Sequence, residues 1–147
     1  MSLKEKLMID MKASMKNKDK VRKNTVTMVR AAVKQSEVDN RVELEDEDVL
    51  GIIIKQVKQR KDSIEDFKAG GRDDLVTLTE EEIAILTEYL PLQLGTEELE
   101  EIVVQAIKDT DAQSKKDMGK IMGKVMPVIK GRADGKQVNQ IVMKYFG

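Results

Sequence analysis

The 147-residue sequence predicts an all-α protein, with a four-helix unit over residues 1–91 followed by a small three-helix tail over residues 96–147. Three observations carry that reading. Apolar residues recur at helical spacing almost from end to end. No alternating β-branched run lies between hairpin turns, so no strand is signalled. The only break of the kind that separates domains is Pro91-Leu92-Gln93-Leu94-Gly95, short and apolar enough to be packed.

Each element has its own start, stripe and stop. Ser2 and Glu5 form a capping-box pattern ahead of Leu3, Leu7, Met11 and Met15. Asp19 is placed to cap a second helix whose stripe is Val21, Val26, Met28, Val29, Ala32 and Val33. Gln35 to Arg41 lacks a stripe and reads as a polar connection or a fraying helix end. The acids from Glu45 to Asp48 suit the positive end of a third helix carrying Val49, Leu50, Ile53, Ile54, Val57, Ile64 and Phe67. Ala69-Gly70-Gly71 stops it. Asp73 or Asp74 opens a fourth helix through Leu75, Leu78, Ile83, Leu86, Tyr89 and Leu90, and Pro91 closes it. In the tail, Thr96 is expected to cap a helix through Leu99, Ile102, Val103, Ala106 and Ile107. Asp117–Lys130 and Asp134–Phe146 supply the last two.

Composition removes several kinds of chemistry. The absence of histidine and cysteine excludes most zinc sites, the Ser-His-Asp triad and the Cys-His dyad. The aromatics are Phe67, Tyr89, Tyr145 and Phe146, too few for a surface that stacks bases. Carboxylates cluster at Glu43–Asp48, Glu80–Glu82 and Glu97–Glu101, each at or near a predicted helix start where the dipole is expected to explain them. The first cluster lacks the calcium-loop spacing and its glycine, and neither phosphate-loop motif occurs. No catalytic residue, no metal site and no cofactor is expected. No segment reaches the ~20 apolar residues of a membrane span, and Met1–Met15 has no continuous apolar stretch, so a cytoplasmic protein without membrane contact is expected.

The net charge of −1 hides strong patterning: residues 1–34 sum to +7, 35–72 to −3, 73–111 to −11 and 112–147 to +6. Basic ends suit a polyanion partner, although attraction between basic and acidic segments explains the same pattern. The most informative stretch is 115–127. On a helical wheel Met118, Ile121, Met122, Val125 and Ile129 share one face, Lys116, Lys120 and Lys124 lie on the far side, and Gly119 and Gly123 fall between. A glycine within a helix costs roughly 1 kcal/mol relative to alanine, so two of them one turn apart imply close approach of another backbone. That backbone is either a neighbouring helix or a sugar-phosphate strand. Pro127 removes a donor and predicts a kink or an end. Lys130, Arg132 and Lys136 stud a glycine-punctuated turn into the last helix, a setting for a phosphate, while Asp134 caps.

Five motifs then fall in order: Lys58-Gln59-Arg60-Lys61-Asp62-Ser63-Ile64, Gly71-Arg72-Asp73-Asp74-Leu75, Glu88-Tyr89-Leu90-Pro91, Asp117-Met118-Gly119-Lys120 with Met122-Gly123, and Gly131-Arg132-Ala133-Asp134-Gly135. In this order the sequence resembles the GatB/YqeY family, from Val21 to the C-terminus, and within it the small stand-alone YqeY-type proteins. These join a helical N-terminal domain to the three-helix tail found in GatB, the tRNA-binding subunit of the glutamine-dependent aminoacyl-tRNA amidotransferase. The resemblance implies a tRNA-binding accessory protein that holds tRNA by its backbone through Lys116, Gly119, Lys120, Gly123, Lys124, Lys130, Arg132 and Lys136. The family label of carbon-nitrogen ligase activity with glutamine as amido-N-donor is not carried over, because GatB's catalytic cradle and any glutaminase are absent. The alternative is a protein-interaction module, a monomer that docks to a translation or tRNA-modifying enzyme.

Overall fold

The computed structural model describes all 147 residues and contains seven α-helices, one 3₁₀ turn and no strand. The helices are α1 (Leu3–Lys16), α2 (Lys20–Asn40), α3 (Asp46–Ala69), α4 (Asp73–Thr87), α5 (Thr96–Asp109), α6 (Met118–Ile129) and α7 (Gly135–Phe146). The chain divides into two compact units, Met1–Leu90 and Pro91–Gly147.

Local chemistry sets most of the helix ends. The Ser2 hydroxyl accepts from the Glu5 amide, which is half of the expected box. Asp19 accepts from the Arg22 amide at the start of α2. Glu45 and Asp48 form a full capping box on α3. Gly71, at φ +69°, turns the chain out of α3 with the Arg72 amide bonded back to the Phe67 carbonyl.

One expectation is settled and two need correction. Gln35–Asn40 is the last part of α2, so of the two readings the helix end stands and the polar connection does not. Glu37 accepts from Lys4 Nζ (2.7 Å), 33 residues away, and from the Leu44 amide (2.8 Å), and Gln35 donates to Asp39, so one remote and two local contacts hold a segment without an apolar stripe. Thr96 is the first helical residue of α5, and the cap position belongs to Gly95. Pro127 neither ends nor breaks α6, which runs on to Ile129. Ile121, Val125 and Ile129 are fully buried and keep the last turn in place although the Gly123 carbonyl has lost its helical donor.

In the first unit, α3 packs along α4 and α1 along α2, and α2 also meets α3 and α4. Leu7, Val26, Val29, Val49, Ile53 and Leu86 are wholly buried between them. In the second unit α5, α6 and α7 pack pairwise around Leu99, Val103, Ile121, Val125, Val138 and Val142.

Candidate nucleic-acid interface

Several sequence motifs are absorbed by the fold. Arg22 pairs with Glu88, and the buried Tyr89 donates its hydroxyl to Asp10. Burial, reinforced by that carboxylate, pushes the Tyr89 phenol far above its usual range. Lys6 Nζ lies 5.1 Å from the Tyr89 ring centroid. These groups line a cleft of about 360 Å³ in the first unit, where the charges are largely engaged with each other. Arg60 donates to the Gln56 carbonyl and side chain and lies 3.6 Å from Glu82, tying α3 to α4. Arg72 grips Asp74 through two nitrogens. No group of three or more acidic, histidine or cysteine side chains gathers as a metal site would require.

The second unit leaves its cationic residues more open. Gly119, Lys120, Gly123 and Lys124 are all exposed on α6. A Cβ built at Gly119 or at Gly123 meets nothing within 4 Å. Within the second unit, therefore, no neighbouring helix crosses this stripe. Lys116 lies in the 3₁₀ turn Lys115–Asp117 and so leaves the register of α6, although it too is exposed. Asp117 accepts from the Gln113 amide (2.8 Å), and that bond chiefly holds its carboxyl below the usual range.

The turn into α7 is fastened from behind. Gly131 is buried at φ +76°, and its carbonyl accepts from Gln93 Nε2 (2.7 Å). The Leu94 amide donates to the Arg132 carbonyl (2.9 Å), and Arg132 Nε donates to the Leu92 carbonyl (3.1 Å). Arg132 is thus half-buried and partly committed to holding the turn, where an outward group was expected. Asp134 caps α7 and forms a box with Gln137. Lys136 is exposed in the first turn of α7, and Lys130 is exposed at the end of α6. Gln93 is the participant that the sequence did not single out. Its only signal is a position in the apolar break, and its partner lies 38 residues away.

These features define a small all-helical protein whose second unit presents a glycine stripe edged with lysine. The Yqey-like protein family model matches residues 4–146, and the chain belongs to that family. Among its relatives is altered inheritance of mitochondria protein 41 of the fungus Pyrenophora tritici-repentis, 30% identical over 146 residues, covering 97% of this chain and 80% of the relative. The protein of the same name from Kluyveromyces lactis is 38% identical over 127 residues, 80% of this chain and 68% of the relative. That from Saccharomyces cerevisiae is 30% identical over 122 residues, 79% of this chain and 66% of the relative. All three are named as mitochondrial proteins, which overturns the cytoplasmic location expected from the sequence. That expectation rested on apolar stretches, which do not encode an address. No helix is long and apolar enough to cross a membrane.

Proposed function

We propose that this protein is a tRNA-binding accessory protein whose residues 96–147 act as a tail of the GatB/YqeY type behind an N-terminal helical domain, residues 1–91. The observation that carries the reading is the open stripe of Gly119 and Gly123, edged by exposed Lys120 and Lys124. Glycines here give up helix stability and fill no contact, which is what a surface needs if a sugar-phosphate strand is to approach a helix backbone closely. The lysines supply point charges for phosphates, and contacts of this kind recognise a folded RNA bend by shape more than by sequence. Lys116, Lys130 and Lys136 extend the positive surface. Arg132 contributes mainly by fixing the turn that presents Lys130 and Lys136.

The test is tRNA binding by the full chain across a salt series. Replacing Lys120, Lys124 and Lys136 with Ala is expected to weaken binding of all tRNA species alike and to flatten the salt slope by about 0.7 to 0.9 per lost phosphate contact. A folded triple variant with unchanged affinity and slope would refute the site.

A second reading is favoured by Met126, Val128, Met143 and Tyr145, large apolar side chains left exposed on α6 and α7. They suit docking onto a translation or tRNA-processing enzyme. Binding of that kind would be nearly indifferent to salt, which separates the two.

A further inference from the structure

The turn between α1 and α2 gathers exposed lysines at positions 16, 18, 20 and 23. None of them forms an ion pair. The acids at the same end of the unit are already engaged: Asp19 caps α2 and meets Arg22, Glu88 holds Arg22, and Asp10 accepts from Tyr89. The result is a patch of uncompensated positive charge.

Lys16 suits the negative end of α1, but fold stability does not account for the other three lysines. Lys18 stands at φ +56°, with its amide bonded to the Met15 carbonyl and the Asp19 amide bonded to the Ser14 carbonyl. This is a Schellman ending, and its left-handed position favours glycine. The same ending closes α3 with Gly71, and α5 with Asp111, in that position. Lys20 and Lys23 lie in and just beyond the first turn of α2, where the helix dipole disfavours cations and where α3, α4 and α5 each carry acids. A lysine in a left-handed position, followed by lysines at a positive helix end, adds positive charge here at some cost to the fold.

We propose that this α1–α2 hairpin is a second phosphate-backbone contact for a structured RNA, made by Lys16, Lys18, Lys20 and Lys23. It rests on the reading that the ligand is RNA. The tip offers exposed point charges, one large exposed apolar side chain in Met15, and no exposed ring. That composition fits a sugar-phosphate surface. It does not fit a bilayer, which takes amphipathic helices by their Trp, Phe and Leu.

The experiment uses the full chain, a labelled pool of tRNA and salt from about 50 to 200 mM. Two variants are compared with the parent and with the tail triple variant: Lys18→Gly, and Lys16, Lys18, Lys20 and Lys23 all replaced by Gln. Lys18→Gly is expected to raise the melting temperature by about 3 °C while weakening tRNA binding about two- to threefold. The Gln variant is expected to lose about tenfold in affinity and to flatten the salt slope by about 3. Loss in the Gln variant with none in the tail variant would support the hairpin and refute the tail. The reverse would overturn this inference and leave the tail standing. A parent that binds no tRNA would overturn both. So would binding to phosphatidylserine vesicles, lost in the Gln variant, without any effect on tRNA.

Discussion

Helices α3 and α6 reach the same secondary structure by opposite means. Helix α3 has a full capping box, acids throughout its first turn, a lysine in its last and a glycine in the left-handed position that stops it. Helix α6 has no side-chain cap, no acid in its first turn, no base in its last, two internal glycines and an internal proline. What holds α6 is one face, with Ile121, Val125 and Ile129 at 0% exposure. Where nearly every local device favours helix, with the half-buried Gly51 the one exception in α3, the sequence serves the fold. Where the exposed half of a helix is given over to Gly119, Lys120, Gly123 and Lys124, packing has to hold it, and the surface is free for something else.

The largest effect expected from this contrast is at the buried face of α6. Ile121→Ala should destabilise the second unit by about 3 kcal/mol, through lost burial and an unfilled cavity. A unit of this size has little stability to spare. Amide exchange should show protection lost throughout α6, with α3 unaffected. Protection that survives in α6 would mean that local propensity holds the helix after all.

Pro127→Ala runs the other way. It restores a donor to the Gly123 carbonyl and should stabilise the second unit by about 2 kcal/mol, read from its denaturant midpoint. A loss of stability would show that the proline fits a distortion the packing requires.

Alanine at the glycines sharpens the comparison further, because one substitution should have two signs. Gly71→Ala should cost about 1 kcal/mol, since φ +69° suits no Cβ. At Gly119 or Gly123 the added methyl meets open space and should stabilise by about 0.5 to 1 kcal/mol. Equal signs at the three positions would break the distinction between a glycine kept for its turn and a glycine kept for its surface.

The smallest effect concerns the helical segment without a stripe. The Lys4 side chain first, and the Leu44 amide second, hold the Glu37 carboxyl below its usual value. A depressed carboxyl stabilises above its unfolded pKa of about 4.3 and loses that contribution as pH falls through the folded value. The melting temperature of the parent should therefore exceed that of Glu37→Gln at neutral pH, and the gap should close on acidification below about pH 4. Lys4 is raised by the same bond, so a further loss is expected only as pH climbs above its ordinary value.

Much of this was legible in the sequence, for identifiable reasons. Caps act over three or four residues, so Ser2, Asp19, the Glu45–Asp48 cluster and Asp134 announced helix starts that the backbone adopts. Periodicity named the buried face of α6 correctly. It could not say what lay opposite Gly119 and Gly123, because a face pattern carries no information about its neighbour. Gln35–Asn40 stayed undecided between connection and helix end because its anchor on Lys4 comes from 33 residues away. Arg132 was read as outward because its acceptor at Leu92 and the Gln93 brace come from 40 and 38 residues away.

The most direct test of the account is to measure tRNA affinity and thermal stability together in the double variant Gly119→Ala, Gly123→Ala. If the glycines are kept so that a nucleic-acid backbone can approach α6, the variant will melt at a higher temperature and bind tRNA more weakly, with its lysines untouched. A variant that is more stable and binds tRNA as tightly as the parent would contradict it.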